Sequence, residues 1–539
     1  MRIRLCVALM LALASFGAAA EEAKELTRMR ETMTRLIENL VQKDLLTREQ
    51  GDALLKEMMA EQAPSPASAA PQTSAQPSPR TPDADKGVVR VPYVPEIVKD
   101  ELRKELREEL KKEVFDDIIV HARQQRWDVS GSWPSWIDTF SWNGDIRLRY
   151  QNDNFATTND RNTYLNVQKV NDRRSIAGDD PFSNTTEDRE RERLRLRLGV
   201  VAQVDRGLDV TARISTGSLS DPVSTNQTLG NYNRPYTLTV ERAFMSYHSI
   251  DGGFNIWAGR MTNPFFSTEL VWDEDLAFDG VAATFKAPRR PDGSDPWFAP
   301  FMTVGLFPLQ EVELSSQDKW LYAAQTGFDW RMSWLSSFKL GLAYYDFRNT
   351  TGQRNALNSR DLDFTAPQFV QKGNSMFLIN NDTDPNARLF GLASDFKEVN
   401  LTASWDWAGF GVNHVVVTFD YVKNVGFDAN EVSQRVGTPV EAHNKGYQWT
   451  VMVGKPRMER GGDWQAFGTW KHLERDAVVD AFTDSDFHLG GTDAEGWILG
   501  GSYMFKENMW LSGRYYSSDA IHGPPLGIDT LQIDFNMRF

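Results

Sequence analysis

The sequence predicts an all-β transmembrane barrel of about sixteen antiparallel strands, preceded by periplasmic α-helical or coiled-coil segments. Two observations indicate this class. Polar and apolar residues alternate in many segments after residue 127, and the connections between those segments are alternately long and short. Alternation is typical of strands with one lipid-facing and one lumen-facing side, and sorted connections are typical of barrels with long outer loops and short periplasmic turns. A soluble sandwich or propeller gives no reason for such sorting.

The strand pattern is clearest at the C-terminus, where residues 531–539 place an apolar residue at every second position. The same period recurs over residues 144–150, 193–202 and 399–405. The segments with this character are centred near residues 145, 197, 211, 242, 256, 284, 304, 326, 341, 403, 417, 451, 468, 500, 512 and 534. Trp and Tyr gather at the segment ends, as aromatic belts at the two membrane interfaces require.

The connections fall into two alternating classes. The long ones cover residues 151–188, 216–235, 261–279, 308–319, 348–396, 424–445, 474–494 and 517–528. The mostly short ones cover residues 205–207, 250–253, 288–299, 333–336, 408–411, 456–463 and 506–508. An even number of strands puts both ends of the barrel on the short-turn side, so the segments before the barrel are expected in the periplasm.

The composition excludes several function classes. The 539-residue chain has a formal net charge of −15, which argues against nucleic-acid binding because a phosphate backbone demands a basic face. The chain lacks an apolar run of about 18 residues, which excludes a bundle of transmembrane helices. The one cysteine, Cys6, lies in a segment expected to be removed, so the mature chain would hold no disulfide or thiolate metal site. We expect no cofactor.

The region before the barrel divides into four predicted segments. Residues 1–20 have the charged start, short apolar centre and small final residues of a secretory signal peptide. Residues 21–60 have the apolar spacing of a helical or coiled-coil segment, and residues 61–93 form a linker rich in Pro, Ala and Ser. Residues 94–127 predict a charged helix whose single apolar stripe indicates either self-association or a solvated spacer. The barrel is expected over residues 128–539.

Three stretches resemble a known family. They are residues 40–49 (LVQKDLLTRE), the first strand and its approach at residues 136–149 (WIDTFSWNGDIRLR), and the terminal Phe539 behind alternating apolar residues. Together they resemble the bacterial outer-membrane "putative porin" family, which has a helical region before a large barrel. The resemblance spans nearly the whole mature chain. It implies a pore for small hydrophilic solutes in outer-membrane lipid, and it implies that Phe539 is an assembly signal read by the barrel-assembly machinery.

The polar face of the first three strands predicts a basic wall inside the barrel. Its members are Arg147, Arg149, Arg193, Arg195, Arg197 and Arg213. Exposure of an arginine to lipid costs about 2–4 kcal/mol at the membrane midplane, so these side chains are expected to face the lumen. They either line the pore or only pair with acidic residues inside the barrel.

The third long connection is acidic, with Glu269, Asp273, Glu274, Asp275 and Asp279. In general porins the third loop folds into the barrel and narrows it opposite a basic wall. By that resemblance, these carboxylates would set a transverse field across a constriction, which orients dipolar solutes. The alternative is an acidic loop that faces solvent. The Asn- and Asp-rich residues 380–384 lack the pattern of a helical calcium loop, so we expect a solvated surface loop and no metal site.

We therefore expect an outer-membrane porin that forms a water-filled channel for passive diffusion of small hydrophilic solutes or ions. The alternative is a structural protein whose periplasmic helices tether the outer membrane to the cell wall. The helices could also assemble a homotrimer, which is compatible with either function. An enzyme is disfavoured because the seven histidines are scattered and the common hydrolase motifs are missing.

Overall fold

The computed structural model describes residues 140–178, 180–290, 293–313 and 315–539. Its main element is a closed antiparallel barrel of sixteen long strands. The strands are β1 (Phe140–Phe155), β2 (Arg189–Asp205), β3 (Leu208–Thr216), β4 (Leu238–His248), β5 (Phe254–Thr262), β6 (Ala277–Lys286), β7 (Phe298–Gln310), β8 (Lys319–Ser333), β9 (Ser336–Arg348), β10 (Lys397–Phe410), β11 (Asn413–Asn424), β12 (Lys445–Gly454), β13 (Trp464–Leu473), β14 (Ala494–Lys506), β15 (Met509–Ala520) and β16 (Gly527–Arg538).

Shorter elements lie in the long connections. Helix α1 spans Val167–Arg173 and helix α2 spans Ala429–Val436. A small hairpin pairs Met376–Leu378 with Phe390–Leu392, and Gln227–Thr228 pairs with β2 beyond the end of β3. Single turns of 3₁₀ helix lie at Asp363–Thr365, Asp480–Phe482 and Phe487–Leu489. Within the described residues, each helix is too short or too polar to cross a membrane.

The predicted strands and loop sorting are confirmed. Each of the sixteen predicted centres lies inside an observed strand, and long and short connections alternate, except that 311–318 and 521–526 on the long side are shorter than 287–297 on the short side. Two-residue turns at 206–207, 334–335, 411–412 and 507–508 join strands on the short side. Gly411 and Asn508 have positive φ there, as tight hairpin turns require. The predicted signal peptide, helical segments and linker, with the first part of the barrel range, lie outside the described residues.

The alternation in sequence becomes two different faces of the wall. On β16, Leu531 and Ile533 are exposed on the outside, whereas the polar residues that alternate with the apolar ones, Gln532, Asp534 and Asn536, are buried inside. Large apolar side chains are exposed in the same way on the other strands, including Leu198, Met245 and Leu342. An outer surface of this kind is stable only against lipid hydrocarbon, as expected for a membrane barrel.

Closure of the barrel involves the last residue of the chain. Strand β16 pairs with β1 over the whole of its length, from Phe155 with Ile528 to Asp145 with Arg538. The ladder continues with reciprocal backbone bonds of 2.9 and 3.0 Å between Gly144 and Phe539. The Phe539 ring lies over Gly144, where an added Cβ would meet it at 2.6 Å. The glycine therefore makes room for the terminal aromatic ring.

Part of the lumen is filled by an apolar core. The loop after β5 and the loop after β13 fold inward and pack against each other and against the wall. Trp272 from the first loop contacts Phe278 on β6 and Tyr345 on β9 at ring distances of 5.0 and 5.1 Å. Phe482 from the second loop stacks on Phe347 at 6.1 Å.

Candidate functional site: a charged constriction

The predicted basic residues of β1 and β2 do lie together. The strands pair so that Arg147 faces Arg195 and Arg149 faces Arg193, with Arg197 opposite Asp145. Residues that alternate along a strand share one side, and pairing aligns the two rows. The arginines thus form a continuous patch on the inner wall, which we call the arginine face: Arg147, Arg149, Arg193, Arg195 and Arg197.

Arg149 is the most strongly paired member of the arginine face. Its guanidinium donates to both carboxylate oxygens of Asp534 on β16, at 2.7 and 2.9 Å. A second pair of bonds, at 3.0 and 3.1 Å, goes to Asp486 in the loop after β13. Burial opposes ionisation of Asp486, but Arg149 and Arg147 hold the pKa of its carboxyl well below the ordinary value. Arg149 therefore fixes an inner loop to the wall.

Asp275 joins the acidic loop to the arginine face. Its carboxylate pairs with Arg197 and lies 3.9 Å from Arg195. It also accepts bonds from the backbone and hydroxyl of Thr225, at 3.1 and 2.9 Å. Burial alone would raise its pKa, but Arg197 and Arg195 hold the pKa of Asp275 well below the ordinary value. The third long loop thus reaches the wall it was predicted to face.

The arginines are not all paired with acids. Arg195 pairs with Asp145 at 2.8 Å. Arg147 instead donates to the Asn226 side chain at 2.6 Å, and Arg193 donates to Gln151 at 3.2 Å. The arginine face therefore combines ion pairs with cations that are hydrogen-bonded to neutral groups. These cations keep an uncompensated charge that acts on the lumen.

Arg213 on β3 belongs to a neighbouring group organised by a bulge in β4. The register between β3 and β4 shifts at Arg213 and Ile214, so that both Glu241 and Arg242 point inward. Arg213 donates through Nε to Glu241 at 2.9 Å, and Arg197 lies 3.4 Å from the same carboxylate. The Glu241 carboxylate therefore connects the periplasmic end of the arginine face, at Arg197, to Arg213 on β3.

Three wall strands anchor the acidic loop across the lumen. Thr268 donates from its backbone and hydroxyl to Asp420 on β11, at 3.1 and 2.6 Å. Gln325 on β8 accepts from and donates to the backbone of Phe266, at 2.8 and 2.7 Å. Lys471 on β13 donates to the carbonyl of Glu269 at 3.2 Å. Together with Asp275, these contacts stretch the loop from one side of the barrel to the other.

A narrow cavity of about 80 Å³ lies between this loop and the wall. Its ionisable lining comprises the carboxylates Glu269, Asp273, Glu274, Asp275, Asp484 and Asp486 and the guanidinium groups Arg147, Arg195 and Arg514. Burial and the charge of Glu274 raise the pKa of Glu269 to about 7, and burial raises the pKa of Asp273 well above its ordinary value. The exposed Glu274 is the acidic loop residue most open to the lumen.

Asp279 lies away from this cavity. It is part of β6, on the outward side shared with the exposed Val281 and Phe285, and it pairs with Arg260 at 2.7 Å. The predicted loop range included the first residues of that strand. The sequence does not indicate which face of a strand an acidic residue at its first positions will occupy. The acidic loop group is therefore Glu269, Asp273, Glu274 and Asp275.

The comparison with protein families decides the assignment. The family model described as "Putative porin" matches residues 30–539. The chain belongs to this family. It is accordingly an outer-membrane channel for passive diffusion, and the resemblance drawn from the sequence is confirmed.

Solved structures similar to this porin are other bacterial porins. Pseudomonas putida OprB, in its high-pH structure, is 11% identical, with 76% of this chain and 96% of that chain covered and a TM-score of 0.43. Salmonella typhi OmpF, in complex with daunomycin, is 11% identical over 74% and 97% of the two chains with a TM-score of 0.38. An anion-selective porin from Comamonas acidovorans is 10% identical over 74% and 99%, also with a TM-score of 0.38. No curated protein matches the chain.

Four charged residues that line the charged cavity or contact the arginine face of this porin were missed by the sequence reasoning. Asp484 and Asp486 lie in the loop after β13, where no periodic pattern in the sequence indicates which way a side chain points. Arg514 occupies an inward position of β15, between Ser512 and Tyr516, and the alternation of that strand could have identified it. Glu241 was hidden by the bulge in β4, which breaks the period of two.

We next consider metal binding in the part of the chain that the structure describes. No group of three or more His, Asp or Glu side chains there is placed to hold a metal ion. The amide of Asn380 bonds to the Ala387 carbonyl at 3.0 Å, and its oxygen accepts from the backbone of Leu389 at 2.9 Å. Its polar atoms therefore stabilise the turn that contains it.

Proposed function

We propose that the narrow charged cavity is the selectivity constriction of the channel and that it favours small cations and polar solutes over anions. The observation that supports this is its ionisable lining, with six carboxylates against three arginines. Glu274 is exposed, and the six carboxyl groups outnumber the three guanidinium groups, so negative charge predominates in the lining while the carboxyl groups are ionised. A narrow section with excess negative charge lowers the free energy of a cation more than that of an anion.

The same cavity also orients what passes through it. Arg147 and Arg195 lie on the wall strands, Glu269, Asp273, Glu274 and Asp484 lie on the inner loops, and Asp275 is ion-paired to the wall. Opposed charges across a narrow, water-poor space set a transverse field that aligns the dipoles of permeating solutes. In this proposal the basic side of the pore consists of Arg147, Arg149, Arg193, Arg195, Arg197 and Arg213. Its acidic side consists of Glu269, Asp273, Glu274 and Asp275.

Reversal potentials in a planar bilayer under a salt gradient test this proposal. The wild type is expected to prefer cations. Glu274→Gln is expected to shift the permeability ratio toward anions, because removal of one charge at about 8 Å changes an ion's energy by roughly 0.5–1 kcal/mol, about two- to fivefold in the ratio. Replacement of Arg193, Arg195 and Arg197 by Gln is expected to shift the ratio in the opposite direction.

Glu190→Gln is the matched control, because Glu190 is exposed on β2 outside the lumen. Its reversal potential is expected to equal that of the wild type. The triple arginine variant also disrupts buried ion pairs. The reversal potential of Glu274→Gln, a change at an exposed side chain, is therefore the measurement that tests the proposal. Identical reversal potentials for wild type and Glu274→Gln would falsify the assignment of this cavity as the selectivity constriction.

The remaining parts of the proposal concern biogenesis and partners. Residues 1–20 are a signal peptide, residues 21–60 and 94–127 are periplasmic helices joined by the linker 61–93, and residues 128–539 are the barrel domain. Phe539 is the residue that the barrel-assembly machinery recognises, and the helices assemble a homotrimer. Contact of these helices with the cell wall is the second role they could serve. Solutes pass without chemical change, so the protein is not an enzyme.

A further inference from the structure

The barrel wall has a seam at the extracellular ends of β6 and β7. Within the described strands, the register between them ends at Val281 and Leu306. Both strands continue further, with β6 paired only to β5 and β7 paired only to β8. If the same register continued, Asp279 would face Pro308. The wall is therefore unpaired at the backbone level between residues 277–280 and residues 307–310.

The seam has a physical cause in the sequence. Pro308 has no N–H to donate to a neighbouring strand, and proline within a sheet marks an edge or an irregularity. The register between β7 and β8 also shifts between Pro308 and Gln310. On the lumen side, side chains replace the missing ladder: the rings of Phe278 and Phe307 meet across the seam at 5.0 Å. The two strands are thus not joined by backbone pairing at the seam, and the packing of aromatic side chains closes it instead.

A cavity of about 220 Å³ occupies this seam. Its floor is apolar and buried, with Trp272, Phe278, Phe307 and Leu321. Its rim contains the exposed Asp279 and Pro308 on the outward side of the wall. Just below the rim, Leu306 and Val281 are exposed where lipid contacts the barrel. The cavity therefore opens near the boundary between the outer leaflet and water.

Two buried polar atoms face this apolar chamber. The Asp480 carboxyl and the Thr350 hydroxyl line it, each residue is more than nine-tenths buried, and Oδ1 of Asp480 and Oγ1 of Thr350 have no partner among the described residues. A buried polar atom without a hydrogen bond costs about 1–3 kcal/mol. The lining holds as many basic as acidic side chains: Arg260 pairs with Asp279 at 2.7 Å, and Lys319, which donates to the Ala366 carbonyl at 2.7 Å, lines the same chamber as Asp480.

We propose that the seam cavity binds compact neutral ring compounds that have a hydroxyl group, the class of which phenol is the simplest member, and that these enter from the membrane interface. The volume fits a single ring, because an apolar cavity of about 150 Å³ holds benzene. The aromatic floor supplies dispersion and edge contacts for the ring, and Asp480 and Thr350 supply acceptors for its hydroxyl. The balanced charges favour a neutral ligand. This site is separate from the charged constriction.

Equilibrium dialysis of labelled phenol against the full-length protein in lipid nanodiscs tests the proposal. The wild type is expected to bind phenol at one site. Ala481→Phe fills the chamber from the inner loop, and Leu309→Trp fills it from the wall; each is expected to weaken phenol binding by about tenfold or more. The control Ala466→Phe adds the same bulk on the exposed outer side of β13 and is expected to leave binding unchanged.

A second comparison tests the hydroxyl partners. Thr350→Val is expected to weaken phenol binding about three- to tenfold while binding of toluene, which has no hydroxyl, stays constant. Potassium chloride conductance equal to that of wild type verifies that each variant is folded, and it reports on the constriction independently. Phenol affinity unchanged in a folded Ala481→Phe or Leu309→Trp variant overturns the site. Equal losses of phenol and toluene in Thr350→Val overturn the assignment to hydroxylated ligands.

Discussion

At the scale of single residues, Glu241 is a buried carboxylate that faces three arginines. It interacts with Arg213, Arg197 and Arg242, and only 5% of its surface is exposed. The bulge in β4 is what brings it inward beside Arg242. A carboxylate in that position compensates three cations that would otherwise repel one another at short range.

Glu241→Gln is therefore expected to destabilise the barrel by about 2–4 kcal/mol, because it leaves buried guanidinium groups without their counter-charge. Urea unfolding in lipid vesicles, followed by tryptophan fluorescence, measures this loss. Glu190→Gln provides the same chemical change at an exposed position and is expected to alter the unfolding free energy by less than about 0.5 kcal/mol. Equal stabilities for the two variants would show that the arginines find other partners.

At the scale of elements, sequence and structure agree best where the period of two is uninterrupted. The strands around residues 197 and 534 could be located from alternation alone, and their pairing then follows from chain order in an antiparallel barrel. The arginine face could be predicted for the same reason. The directions of the inner loops could not, because Asp275 and Asp486 are positioned by contacts with distant strands and no local pattern records those contacts.

The acidic loop depends on a few anchors, and Thr268 provides two of the hydrogen bonds. Thr268→Val removes the 2.6 Å bond to Asp420 and keeps the size of the side chain. We expect hydrogen-exchange protection of the loop backbone to fall by about 1 kcal/mol and single-channel current noise to rise. The control is Thr284→Val, which removes a 2.8 Å bond between Thr284 and Thr303 on two wall strands and leaves the bonds that hold the loop in place. Unchanged protection in Thr268→Val would mean that Gln325 and Lys471 hold the loop without it.

At the scale of the whole molecule, the described barrel is complete without the residues that precede it. Its ladder closes from β1 to β16, and the charged constriction is built entirely from barrel strands and their loops. The proposed roles of residues 21–126 therefore concern assembly, and conduction should be independent of them.

Deletion of residues 21–126 separates those roles. The shortened protein is expected to conduct like the full chain in single-channel recordings, since its constriction is intact. Its mass in native mass spectrometry is expected to be that of a monomer, because the apolar stripe proposed to join three helices is gone. A stable trimer without these residues would assign trimer formation to the barrel and leave the cell-wall contact as the role of the helices.

The hydrogen bonds between Gly144 and Phe539 also determine when the barrel can form. The first strand meets its final neighbour only after β16 has been synthesised, so every earlier intermediate is an open ribbon with unsatisfied amides along one edge. Such an open ribbon is not stable in the hydrocarbon core of the membrane. Export and escort must therefore be finished on a chain that has not yet folded, and insertion into the membrane must accompany closure of the barrel.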